Sequence, residues 1–235
     1  MHFSSGFLLT SALLLAASVS AQAGPVDTAA TKVEQLRPDS AAELFAQFAK
    51  MPGLEARYAE KKHVGLLTIP LQSNGILYFM RGGYLARLVQ KPRPSLLAIT
   101  PTQLRMEDEN GVEVVDLRQS PEMRLFVTSL ARVFSGDRKE LGASYKMAFE
   151  TQADDKLGWT LLLTPRAKPL TNMVKSLRLR GRGYSVTQIE MREPNGDHSV
   201  MSVKSADAER EFSDEEKLKL FGLDGKGDRS KPKAR

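Results

Sequence analysis

Cysteine is absent from all 235 residues. Its absence removes thiol catalysis, disulfides and thiolate metal sites together, and leaves nothing to acylate as a lipoprotein anchor. Histidine is almost absent too: outside the first residues only His63 and His198 occur, too few for a histidine zinc site. Apolar runs are equally scarce. After Phe7–Ala17 no stretch is long enough to span a bilayer. That first run lies in a segment, Met1–Ala23, without Asp, Glu, Lys or Arg, which ends in Ala21-Gln22-Ala23. An apolar h-region before a small-x-small site reads as a secretory signal peptide, so residues 1–23 are expected to be removed near Ala23. The product would be exported, not membrane-spanning, and held together by a hydrophobic core.

With 41% hydrophobic and 26% charged residues, the composition is that of an ordinary globular protein. The formal net charge is +6, but Lys226, Arg229, Lys231, Lys233 and Arg235 crowd into the C-terminal tail against Asp228 alone. The body is then close to neutral, and a nucleic-acid partner is not indicated, since that needs positive charge on a folded face. Residues 24–38 read as a mobile lead-in, 39–222 as a single domain, and 223–235 as a basic, disordered tail.

The domain opens with Ser40-Ala41-Ala42-Glu43, a capping box, and Leu44, Phe45, Phe48 and Met51 follow at helical spacing up to Pro52-Gly53. From Leu54 the period becomes two. Leu67, Ile69 and Leu71 fall on one side of an expected strand, Ser73-Asn74-Gly75 reads as a turn, and Leu77 and Phe79 share a face of the next strand before Gly82-Gly83. Strand-like pieces follow at 84–90, 95–99, 103–107 and 112–117. A second helix, which Ser120 can cap, carries Pro121 in its first turn and can close at Gly136. Met123, Phe126, Val127, Leu130, Val133 and Phe134 form its apolar stripe. Alternation then returns through Tyr145, Met147 and Phe149; Leu157, Trp159, Leu161 and Leu163; Leu177 and Leu179; and Ile189, Met191, Met201 and Val203. A short helix capped by Ser213 and Glu216 closes at Gly222.

One-sided alternation over so many strands makes an antiparallel sheet with one apolar face. Few, short helices cannot cover such a face while it is flat. The expected fold is therefore α+β and mainly β: an incomplete antiparallel barrel, or curled sheet, with helices lidding its concave apolar side. Leu67, Ile69, Leu71, Leu77, Phe79, Ile99, Met106, Phe126, Leu130, Met147, Phe149, Trp159, Leu161, Leu163, Leu177 and Leu179 are the expected lining. The methionines suit a surface that accepts irregular apolar guests.

Chemistry finds no foothold. His198 follows the turn composition Asn195-Gly196-Asp197 and is expected on a strand facing solvent, not in a triad. Glu107-Asp108-Glu109 and Asp214-Glu215-Glu216 lack calcium-loop spacing. Gly181-Arg182-Gly183 lies between strands, without the helix a dinucleotide motif needs. No catalytic residue, metal or cofactor is expected. Arg178, Arg180 and Arg182 make one strand face basic, either a solvated edge or a docking surface for anionic headgroups or an acidic partner. Arg81 shares its parity with Leu77 and Phe79. Unless the strand ends before it, its guanidinium enters the concavity and needs acceptors there, such as the open carbonyls of a helix C-terminus.

In order and spacing, three segments form a set: GILYFMRGGYLAR (Gly75–Arg87), a strand–turn–strand with an arginine; PEMRLFVTSLARVFSGD (121–137), a central helix; and WTLLLTPR (159–166) with the strands to Val203. Together they resemble the LolA family of periplasmic outer-membrane lipoprotein carriers, and more closely a LolA-related branch. The chain departs from that pattern with Gly82 in place of a proline, Arg87 in place of an aromatic, and the basic tail. The resemblance implies a periplasmic, monomeric carrier that takes acylated cargo from an inner-membrane exporter to an outer-membrane acceptor. It also implies that Arg81 latches the lid. Two alternatives share the fold: a carrier of a non-protein envelope lipid such as a polyene or glycolipid, and an acyl-sensing envelope-stress or assembly factor.

Overall fold

The computed structural model describes residues 37–223. The signal peptide, most of the lead-in and the basic tail lie outside the described residues. Helix α1, Ala41–Phe48, begins at Ser40, whose side chain accepts from the Glu43 amide at 3.2 Å. The Glu43 carboxylate reaches one residue further back than a reciprocal box requires, accepting from the Asp39 amide at 2.7 Å.

Six strands follow: β1 Gly53–His63, β2 Leu71–Met80, β3 Tyr84–Lys91, β4 Ser95–Ile99, β5 Gln103–Asp108 and β6 Gly111–Asp116. Then come α2 Pro121–Ser135, α3 Arg138–Ser144, β7 Tyr145–Thr151, β8 Gly158–Pro165, α4 Leu170–Met173, β9 Ser176–Arg182, β10 Ser185–Arg192, β11 His198–Asp207 and α5 Asp214–Phe221. The short helices α3 and α4 were not legible in the sequence pattern. All eleven strands form one antiparallel sheet, ordered β6-β5-β4-β3-β2-β1-β11-β10-β9-β8-β7. The two meanders are joined by pairing of β1 with β11, while β6 and β7 remain as edges, so the sheet is not closed into a barrel.

Register places apolar side chains in rows across the concave face. One row runs Ser73, Glu60, Met201, Ile189, Leu179, Leu161, Phe149, and another Leu77, Arg87, Leu97, Met106. The buried residues form two clusters on this side, one around Trp159, Leu161, Leu163 and α1, the other around Leu77, Phe79, Leu85 and Ile99. Helix α2 spans both, with Phe126, Leu130 and Phe134 packed against each. Its stripe is wide enough to bridge them because residues at i, i+4 and i+8 share a face.

Four expectations need correction. Leu67 and Ile69 lie in the β1–β2 connection and Leu71 begins β2; all are exposed, because Gly65 and Pro70 interrupt the pairing there. Ser73-Asn74-Gly75 is not a turn but the interior of β2, where pairing with β3 shifts register between Asn74 and Gly75, a bulge. Strand β9, carrying Arg178, Arg180 and Arg182, has a neighbour on each side and is no edge. Helix α5 does not lid the concave face. It packs on the outer side of β3 and β4, where Phe212, Leu220 and Phe221 cover Ala86 and Ala98. The two small alanines leave room for aromatic rings there, and Tyr78 lies edge-on to Phe212 at 6.1 Å.

Among the described residues no helix is long and apolar enough to cross a membrane.

Candidate ligand cavity

Between α2 and the concave face lies a cavity of about 270 Å³. Its roof is Phe126, Leu130, Val133 and Phe134 of α2. Its floor is Leu77, Leu85, Leu97 and Ile99 from one meander and Leu177, Leu179, Ile189, Met191 and Met201 from the other. It exists because neither core cluster extends under the whole of α2: the helix bridges two packed halves and leaves the seam unfilled. Polar groups enter only at one end, from Glu60, Arg87 and Ser199.

That end is organised around Arg87. Its guanidinium pairs with the Glu60 carboxylate, its Nε donates to the Tyr58 hydroxyl at 3.0 Å, and Ser73 Oγ donates to Glu60 at 3.1 Å. The guanidinium carbon also sits 5.3 Å from the Tyr58 ring centre. Burial pushes the Tyr58 hydroxyl above its ordinary range, although the neighbouring Arg87 opposes it. Just outside, a second groove of about 620 Å³ shares Glu60, Arg87, Met191 and Ser199 and adds Lys62, Pro70, Leu71 and Ser73. Lys62 is held by Glu193 at 2.9 Å. The apolar seam therefore opens to solvent past a polar collar.

The family described as outer membrane lipoprotein carrier protein LolA-like matches residues 39–219, from before α1 into α5. The chain belongs to this LolA-like family. No curated protein matches its sequence. Among solved structures, a DUF1329 family protein from Desulfovibrio piger is 13% identical at a TM-score of 0.44, covering 74% of this chain and 92% of the other. A LolA superfamily protein from Nitrosomonas europaea is 13% identical at 0.41, covering 74% and 96%. The Pseudomonas aeruginosa MucA/MucB complex gives 9% at 0.40, covering 74% and 59%.

In this LolA-like chain the structure brings Leu77, Ile99, Phe126, Leu130, Leu177 and Leu179 together around the cavity. Phe79, Trp159, Leu161 and Leu163 are fully buried core beneath α1 and α2 instead. Met147 and Phe149 pack at the rim of that core, Phe149 stacking on Trp159 at 6.0 Å. Met106 lines a separate open groove beside β5 and β6, and Leu67, Ile69 and Leu71 contribute nothing to the cavity. Leu85, Leu97, Val133, Phe134, Ile189, Met191 and Met201 were missed as lining, although parity put most of them on the right face. Arg87 and Glu60 were missed as the collar. Their signal was a charged residue at an inward parity, the argument that had been applied to Arg81 alone.

Arg81 itself does not enter the cavity. Strand β2 ends at Met80, and the exposed Arg81 side chain turns back to donate to the carbonyl of Ala49, the C-cap of α1. Ala49 in turn abuts α2: a β-carbon on Gly136, the C-cap of α2, would stand 2.4 Å from the Ala49 nitrogen and the Phe45 oxygen. The arginine thus touches the helical roof through the last turn of α1.

The remaining candidates sit apart. His63 and His198 face each other across β1 and β11, rings stacked at 4.5 Å. Gly181 serves packing: the Trp159 ring lies where its β-carbon would be, 2.0 Å away, and the indole N–H donates to the Gly183 carbonyl at 2.7 Å. Among the described residues no group of three or more His, Cys, Asp or Glu could hold a metal ion.

Proposed function

We propose that this LolA-like protein is a non-enzymatic periplasmic carrier that shelters the acyl chains of lipoproteins and shuttles them from an inner-membrane exporter to an outer-membrane acceptor. The observation that supports the reading is the seam between α2 and the concave sheet, mostly apolar and flanked at its mouth by the Arg87–Glu60 pair. An acyl chain wants the seam, and its polar linkage wants the collar.

At about 270 Å³ the cavity is at or below the small end of the range for ligand sites, so a cargo with several chains enters only as α2 lifts. Each buried methylene returns about 0.8 kcal/mol, so a fully enclosed lipid would not leave. A carrier needs part of that gain offset by contacts broken on opening. The Arg81–Ala49–Gly136 chain is the contact we assign to this latch.

The test is a native mass spectrum of the protein isolated from its own periplasm, followed by titration with an acylated lipoprotein peptide. A mass excess released by organic solvent, with peptide in its fragments, supports lipoprotein cargo, while lipid without peptide redirects the reading to an envelope lipid. A bare mass together with no uptake of the acylated peptide would overturn the carrier reading.

A further inference from the structure

Among the described residues the β1–β2 connection carries the densest group of exposed large apolar side chains. Leu66 is 95% exposed, Ile69 73%, Leu71 53% and Leu67 49%, side by side in one short loop. Soluble proteins scatter exposed apolar residues, and a contiguous group marks an interaction site. The loop is not loose at its base: the Gly65 amide donates to Asp197 at 2.9 Å and the Leu67 amide to the Val64 carbonyl at 2.9 Å.

Both signs of charge surround it, but the acids are engaged while several lysines are not. Lys61 lies in the last stretch of pairing before β1 ends at His63, and Lys61, Lys91 and Lys204 line one groove across the neighbouring strands, together with Glu60. Among the described residues none of the three has a carboxylate partner, whereas the nearby acids are engaged, Glu60 by Arg87, Glu193 by Lys62 and Asp197 by the Gly65 amide. We propose that this loop is a membrane-docking tip that inserts its leucines and isoleucine into the interface of an anionic bilayer while the lysines meet lipid phosphates. The composition favours lipid over a protein partner. Protein hot spots are rich in Trp, Tyr and Arg, and the tip has none. Leucine and isoleucine with long-stemmed lysines are the pattern of interfacial anchors.

Placement gives the tip a use. Pro70 and Leu71 line the outer groove that shares Glu60, Arg87, Met191 and Ser199 with the cavity. A bilayer touching the loop therefore lies at the cavity mouth, and an acyl chain could pass between the two without crossing water. The docking proposal stands independently of what the cavity carries.

The experiment compares flotation of the exported protein with phosphatidylglycerol/phosphatidylethanolamine vesicles and with phosphatidylcholine vesicles. Wild type is expected to bind the anionic vesicles, and high salt to weaken this binding, since each lysine near an anionic surface adds about fivefold. Leu66→Asp/Ile69→Asp should weaken binding by at least about tenfold, through loss of two inserted side chains. The basic tail is common to both proteins, so only the loop differs between them. A Leu66→Trp variant should show blue-shifted emission quenched by brominated acyl chains, read against buried Trp159. Circular dichroism of each variant should match wild type, because the altered side chains are mostly exposed. Absence of flotation, equal flotation of the double variant, or no quenching at position 66 overturns the proposal. So does a crosslinker at position 66 that captures an envelope protein while vesicles stay unbound. Vesicle binding by a protein that holds no acyl cargo and takes up no acylated peptide would sink the carrier reading and leave this one standing.

Discussion

Removing Arg87 tests the collar most directly. The Arg87→Leu variant leaves Glu60, 13% exposed, inside the concave face without its cation, while Arg87 itself is 32% exposed. Breaking a fully buried pair costs about 3–5 kcal/mol. Partial exposure of the arginine and retention of the Ser73 hydrogen bond discount this to about 2 kcal/mol. In a protein of this size that lowers the melting temperature by about 4–8 °C. Glu60→Leu/Arg87→Leu removes both charges and should recover to within about 1 kcal/mol of wild type, because an apolar pair of similar volume needs no partner. Thermal melts followed by circular dichroism would measure the cycle. A fluorescent acyl probe would then show the functional half: the double variant should keep its affinity for the chain but lose discrimination between acyl probes that differ only in the polar linkage. If Arg87→Leu costs less than about 0.5 kcal/mol, or the double variant is as unstable as the single, the collar is not the mutually paired polar element described above.

Three further outcomes are expected. Gly181→Ala drives a methyl group into the Trp159 ring and should cost about 2–3 kcal/mol, with a red shift of the protein's one tryptophan in denaturant titrations; an unchanged midpoint would place the ring elsewhere. Arg81→Leu should raise amide exchange at the end of α1 about fivefold, for loss of a hydrogen bond worth about 1 kcal/mol, and identical exchange would remove the latch. Glu190 is desolvated by burial, which alone would raise its pKa, yet the hydrogen bond and charge of Arg192 at 2.6 Å and the charge of Arg178 at 3.3 Å hold it below its ordinary 4.5. A carboxyl depressed on folding stabilises fully above that ordinary value and loses its contribution as pH falls through the depressed one. Glu190→Gln should therefore lose about 1–2 kcal/mol at pH 7, and its deficit should narrow as the pH drops into that acid window; a pH-independent deficit would contradict the pairing.

Most strands were legible because burial on one face writes a period of two into any chain; the limits of β4 followed from it, and turn composition added Asn195-Gly196. Helix α2 was legible through its stripe between Pro121 and Gly136. The β1–β2 loop was misplaced for an instructive reason. Leu67, Ile69 and Leu71 alternate as a buried strand does, but they are apolar for an exposed surface, and periodicity cannot say which side of an apolar residue meets water.

Which half of the apolar residues packs solid and which lines space was never in the pattern. Trp159 and Leu161 alternate just as Leu177 and Leu179 do, yet only the latter pair faces the seam. That distinction depends on where α2 comes to rest across two separate core clusters, a contact between residues far apart in the chain. The same holds for the collar: Tyr58, Glu60, Ser73 and Arg87 lie on three strands and meet only through register. By itself the sequence determined most of the elements, their order and their apolar faces, because those follow from local period and turn chemistry. Only the tertiary structure decided the cavity, its polar mouth and the position of α5 on the outer face. Those depend on how a curled sheet brings distant side chains within a few ångströms, or holds them apart.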